Sequence, residues 1–128
     1  MKIVCLMRRK ASLSHQQFKD YYENNHAHLA VELLPFFSEY RRNYLIKDEA
    51  YKPDHLDDVP PAPDYDVVTE ISFASRDDYQ RMVDALADPE IGGRIAADEE
   101  NFLDRSAMVM FFVDEHVTAP EKLAHFFS

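Results

Sequence analysis

Three kinds of side chain in this sequence could move protons. His26 stands one helical turn after Tyr22, so both can face one site. A neutral imidazole takes or gives a proton near neutral pH; the plainer reading is a helix histidine that holds a bend by backbone hydrogen bonds. Asp66 and Glu70 are four apart in a strand-like run, hence on one face. If that face borders an apolar space, burial raises their pKa values and readies one for proton transfer. The plainer reading pairs them with Arg41, Arg42 or Lys47 on neighbouring strands. Tyr40 and Tyr44 also share a strand face; phenols can orient a carbonyl or stabilise an enolate oxygen, or simply line a core. His55, in a long loop, could close over a site or remain exposed. The expected arrangement has His26 as general base or acid, Glu70 as its partner or second acid, and Tyr40 at the reacting oxygen. Tyr22, Tyr44, Asp66 and His55 would contact the substrate.

Other chemistries fit poorly. His26 and His28 are two apart, and on a helix such residues point to nearly opposite sides, so they do not share a metal. No other set of His, Cys and carboxylates has zinc or facial-triad spacing. The chain has only Gly92 and Gly93, so no glycine-rich phosphate loop exists. Neither a metal nor another cofactor is expected. The single cysteine, Cys5, lies in a strand and reads as inert packing; one cysteine allows no intrachain disulfide.

The formal net charge is −10, which disfavours nucleic acid and anionic membranes as partners. No run approaches the length of a membrane span, and Arg8, Arg9 and Lys10 interrupt the first apolar stretch. The expected compartment is the cytoplasm.

Elements must position these groups. Residues 2–7 read as a strand. Leu13-Ser14-x-x-Gln17-Phe18 is a capping box with a hydrophobic staple. It opens a helix from about 15 to the mid-thirties, bent near Asn24-Asn25, with Phe18, Tyr21, Tyr22, Leu29 and Leu33 on its apolar face. Residues 39–47 read as a second strand. Residues 48–65 carry four prolines and six acidic residues and form a long polar loop. Residues 66–73 read as a third strand. Ser75 caps a helix to about Ala87. A second helical stretch carries Ile95 and Phe102, and 106–113 is the most apolar strand. Residues 1–114 make one domain. The tail, 115–128, could form a short helix ending at Phe126-Phe127 and contribute to a dimer.

The order βαββαβ gives a ferredoxin-like α+β fold: a four-stranded antiparallel sheet with helices on one face. Val67, Thr69, Ile71 and Phe73 share one face of the third strand; Asp66, Val68, Glu70 and Ser72 share the other. Both faces of the last strand are apolar, so both need cover. One cover is the helical layer, and the other is the sheet of a second copy.

At residue level the chain resembles the EthD family of dimeric α+β barrels. The resemblance rests on Arg9-Lys10, Leu13-Ser14, Phe18-x-x-Tyr21-Tyr22 and His26-Ala27-His28-Leu29, then Tyr40-x-x-Asn43-Tyr44. Asp66 to Phe73 and Asp98-Glu99-x-x-Phe102-x-Asp104 continue it. Tyr22, His28 and Tyr44 depart from the tryptophan, proline and histidine common in the family. The resemblance implies face-to-face dimers and varied chemistry, from ether degradation to polyketide tailoring and lactone isomerisation. The expected activity is cofactor-independent acid–base proton transfer on a small apolar or aromatic carbonyl compound: isomerisation, cyclisation, dehydration or decarboxylation. The alternative is a non-catalytic accessory protein that binds a small ligand beside an oxidative degradation pathway.

Overall fold

The computed structural model describes residues 1–58 and 60–124. Strand β1 (Lys2–Met7) leads to helix α1 (His15–Tyr21), a π-turn (Tyr22–His26) and α2 (Ala27–Leu33). Strands β2 (Glu39–Tyr44) and β3 (Val67–Ser72) follow, flanking the long loop. Helices α3 (Arg76–Ala87) and α4 (Pro89–Glu99), strand β4 (Val109–Val113) and a short α5 (Pro120–Ala124) complete the chain. The strand order is β2-β3-β1-β4, with all neighbours antiparallel. This is the ferredoxin-like α+β arrangement.

Local chemistry sets the helix starts. The Ser14 hydroxyl accepts from the Gln17 N–H, and the Gln17 side chain accepts from the Ser14 N–H, closing a full capping box. Ser75 accepts from the Asp78 N–H. Asp88 ends α3 and caps α4 by accepting from the Glu90 and Ile91 N–H groups, with Pro89 at the first helical position.

The expected bend near Asn24-Asn25 is the π-turn, closed where the Ala27 N–H reaches back to the Tyr22 carbonyl. The inward row is Phe18, Tyr22, His26, Ala30 and Leu34, each no more than 6% exposed. Tyr21, Leu29 and Leu33, expected on the apolar face, flank this row half-buried. A four-residue repeat drifts by roughly 40° per step on an α-helix of 3.6 residues per turn. Four steps would carry Leu34 roughly 160° from Phe18. The extra residue of the wide turn absorbs about 100° of that drift, so all five stay inside.

Ile3, Cys5, Met7, Val67, Thr69 and Ile71 point from the sheet toward the helices and are buried. Lys2, Val4, Leu6, Val68, Glu70 and Ser72 point the other way and are only partly buried, with no helix among the described residues packed on that face. Strand β4 differs from expectation. All five of its residues are exposed, from 39% at Val113 to 60% at Phe112. It is an edge strand, and on its helix side Phe112 meets the edge-on ring of Tyr79, at 5.4 Å. The helical layer thus leaves it largely uncovered.

Three ends also shift. β2 stops at Tyr44, before the proline-rich loop. α4 stops at Glu99, so Phe102 follows it as a fully buried residue outside any helix. Asp104 accepts from the Ser106 N–H and nucleates a 3₁₀ turn (Arg105–Ala107), which delays β4 to Val109. In the tail α5 is short, and Phe126-Phe127 lies outside the described residues.

The two glycines of α4 are not equivalent. A Cβ on Gly92 would sit 2.2 Å from the Leu86 carbonyl oxygen, whereas one on Gly93 would meet nothing within 4 Å. Gly92→Ala should therefore force α3 and α4 apart and cost about 2 kcal/mol or more in urea denaturation. Gly93→Ala should stabilise by about 0.5–1 kcal/mol. Equal effects of the two would contradict the close approach.

Candidate functional site

Between sheet and helices lies a partly enclosed chamber of about 90 Å³. Its walls are mostly apolar: Met7 and Ile71 from the strands, Leu34 and Phe37 after α2, Met82, Leu86 and Ile95 from α3 and α4, and Met108 and Met110 at β4. Its polar lining is Cys5, Tyr22, His26, Tyr40 and Glu99. Few polar groups converging on an apolar cavity is the usual build of a small-molecule site. A larger cleft of about 610 Å³, lined by His15, Lys19, Tyr44 and Ile46, is open to water on the outer surface.

His26 is buried, with its ring 4.8 Å from Phe102 and edge-on to Tyr22 at 5.7 Å. Its Nδ1 is 2.8 Å from Asp98 Oδ2. The carboxylate makes Nδ1 the protonated nitrogen and leaves Nε2 as the acceptor. Asp98 is itself oriented: its Oδ1 accepts from the Tyr21 hydroxyl at 2.6 Å, and that hydroxyl accepts from Asn101 at 2.9 Å. Nε2 makes no hydrogen bond among the described residues, and no fully buried side-chain nitrogen or oxygen there lacks a partner. The free nitrogen therefore retains open space.

Glu99 lines the same chamber with its side chain 14% exposed. Burial raises its pKa above the ordinary glutamate range, against the opposing charges of His26 and Arg105. Tyr22 is fully buried, and its hydroxyl bonds Tyr40 Oη at 2.9 Å and Thr69 Oγ1 at 3.0 Å. Burial pushes the Tyr40 phenol up to about 12. Cys5 is pushed up to about 11, first by burial and then by the charge of Glu99, so its thiol stays protonated.

The structure brings His26, Tyr22 and Tyr40 together and leaves the other expected residues elsewhere. Glu70 is on the opposite face of the sheet, paired with Lys2 at 3.2 Å and Asn43 at 3.0 Å. Those hydrogen bonds lower its pKa, whereas an apolar setting was expected to raise it. Asp66 precedes β3 and does not share the Glu70 environment. It accepts from the Arg9 N–H at 2.8 Å and meets His15 at 3.2 Å and Lys47 at 3.3 Å. Burial opposes its ionisation, but these partners outweigh it and lower its pKa. Tyr44 donates to Glu23 at 2.6 Å and faces the outer cleft. His55 is exposed in the long loop. His26 is buried while His28 is exposed.

Asp98 and Glu99 were missed as site residues. They sit in the charged run Asp98-Glu99-Glu100, which resembles a solvated helix end. Their place in the late acidic motif was the available signal. Among the described residues, no three His, Cys, Asp or Glu side chains converge as a metal site, and no helix is long and apolar enough to cross a membrane.

The model of the EthD domain matches residues 10–106. The chain belongs to the EthD family. The match contains every chamber residue except Cys5, Met7, Met108 and Met110. Among solved structures, an EthD family protein of Bacillus halodurans is 16% identical, with a TM-score of 0.59 over 90% of this chain and 97% of that one. The At3g17210 protein of Arabidopsis thaliana is 15% identical, with a TM-score of 0.57 over 92% and 98%. HapK of Hahella chejuensis is 11% identical, with a TM-score of 0.54 over 93% and 98%. At these identities the likeness is one of fold. No curated protein matches this EthD chain in sequence.

The raised carboxyl of Glu99 has a measurable consequence. Its folded pKa exceeds its unfolded one, so the native chain holds that proton more tightly. The associated stability is complete at low pH and is lost as pH rises through the raised value. Glu99→Gln removes the loss. Its urea midpoint should gain on the wild type between about pH 4 and pH 7; parallel profiles would mean that the carboxyl is well solvated.

Proposed function

We propose that this protein is a small-molecule enzyme of acid–base type, acting on an apolar or aromatic carbonyl compound in the chamber. The observation that carries this reading is a buried His26 with one nitrogen fixed by Asp98, on the wall of an apolar cavity shared with Glu99 and Tyr40. His26 Nε2 removes a proton from carbon next to the carbonyl. The electron pair moves onto the carbonyl oxygen, where the Tyr40 hydroxyl donates a hydrogen bond. Asp98 keeps the imidazole in the required tautomer and steadies the imidazolium. Glu99, whose burial favours the protonated form, supplies a proton at a second position, and proton return from His26 to Glu99 closes the cycle. The protons move between the substrate and residues of this chain, and finally from His26 to Glu99. The class includes isomerisation and, with a suitable leaving group, dehydration.

We also infer that the protein is a homodimer with the open sheet faces together. Val4, Leu6, Val68, Val109, Phe111 and Val113 share that face, around the Lys2–Glu70 ion pair. An apolar sheet face left in water is costly, and a second copy supplies a matching face. Glu70 then belongs to the assembly instead of the reaction.

Proton abstraction can be read without knowing the natural substrate. A panel of small cyclic and aryl ketones in heavy water, followed by proton NMR, should show deuterium entering next to the carbonyl. His26→Gln should slow incorporation about a hundredfold, and Glu70→Gln should leave it nearly unchanged. Incorporation that ignores His26 would sink the reading. Tight binding with no incorporation by the wild type would favour the ligand-binding accessory protein. Separately, Phe111→Asp should convert dimer to monomer in sedimentation equilibrium. A wild-type monomer at micromolar concentration would refute the paired faces.

A further inference from the structure

Thr69 is fully buried on the central strand β3, on the face that supports the chamber. Among the described residues its Oγ1 hydrogen-bonds the Tyr22 hydroxyl, and the Tyr22 hydroxyl in turn hydrogen-bonds Tyr40. We propose that Thr69, Tyr22 and Tyr40 form a directed chain of hydroxyls that offers one donor, the Tyr40 O–H, to an oxygen acceptor on the ligand, with Thr69 as the positioning residue that sets its direction.

The argument is a count of hydrogens. Three hydroxyls carry three hydrogens, and the two contacts between them use two. One hydrogen is left over: at either end, or on Tyr22 if that hydroxyl accepts from both neighbours, where it would be buried without an acceptor. At the Thr69 end it would lie in the core with no acceptor, since Thr69 Oγ1 makes no other hydrogen bond among the described residues. A buried donor without an acceptor is costly. At the Tyr40 end it meets open space, because Tyr40 lines the chamber on one side and an outer cleft of about 420 Å³ on the other. The favourable order is therefore Thr69 donating to Tyr22, Tyr22 to Tyr40, and Tyr40 to a guest. Hydroxyls aligned in this way polarise one another, so the terminal donor is stronger than a lone phenol.

A second feature points the same way. The Arg42 guanidinium lies over the Tyr40 ring, 4.6 Å from its centroid, and 6.0 Å from that of Tyr22. Glu23 holds it with two hydrogen bonds, at 2.6 and 3.1 Å, and offsets part of its charge. What remains favours negative charge on an oxygen beside Tyr40. The guest class is one with a carbonyl, enolate or phenolate oxygen as its polar end. This guest class rests on the chamber being the substrate site; the direction of the hydroxyls does not.

Neutron diffraction from deuterium-exchanged crystals of the full chain tests the direction with no ligand or turnover. Deuterium on Thr69 Oγ1 should point to Tyr22 Oη, and deuterium on Tyr22 to Tyr40 Oη. The reverse order would overturn the chain whatever the protein catalyses. The guest class is tested with para-nitrophenolate, followed by absorbance. Tyr40→Phe should weaken its binding about tenfold, the size of one charge-assisted hydrogen bond. Thr69→Val should weaken it about threefold, with Thr69→Ser restoring it, since only the hydroxyl matters. Failure of the wild type to bind para-nitrophenolate, or equal binding by Tyr40→Phe, would overturn the donor role. Unchanged binding by a folded Thr69→Val would remove Thr69 from it.

Discussion

The site depends on a mismatch of periods. The inward row from Phe18 to Leu34 repeats every four residues, while an α-helix turns every 3.6. One wide turn reconciles the two, and its ends are Tyr22 and His26. The device that keeps the helix packed on the sheet is thus the device that aims both polar groups inward. Its irregular backbone is offset by burial of the apolar residues on either side, with Phe102 against Phe18, Tyr22 and His26. Wide turns of this kind are frequent at functional sites, and here packing alone supplies a reason.

The electrostatics divide the carboxylates into two groups. Glu23, Asp66 and Glu70 have cationic partners and are held ionised below their usual range. Glu99, inside the chamber, is pushed the other way by burial despite His26 and Arg105. Carboxyls with partners tie elements together; a carboxyl short of water is pushed toward its protonated form. Asp98 is held by the Tyr21 hydroxyl on one oxygen and faces His26 Nδ1 with the other.

Much of the fold was legible because its signals are local. Ser14 with Gln17 and Ser75 with Asp78 marked helix starts, and strand alternation put Val67, Thr69 and Ile71 on one face. Which face carries the helices is a long-range fact. Both faces of β4 are apolar, so the pattern could not say, and Glu70 was expected to partner His26, whereas the sheet lies between them. His26, Tyr22 and Tyr40 were legible from spacing on their own elements. Asp98 and Glu99 were not, because one of three adjacent acidic residues looks like another. How α4 packs against α3, α2 and the π-turn, with its close approach at Gly92, is a long-range fact that turns two of them toward His26.

The chamber wall has one more consequence. Met7, Met82, Met108 and Met110 line it, four of the five methionines in the chain. A thioether chain is unbranched and bends at three torsions, so the room it leaves is set by rotamers and not by the backbone. Enlarging such a space needs no helix to move. Sulfur is also polarisable and sits well against the rim of an aromatic ring. For a molecule bound there, selectivity on that side would follow softness and flatness more than outline, while the hydroxyl and imidazole opposite would favour a single orientation.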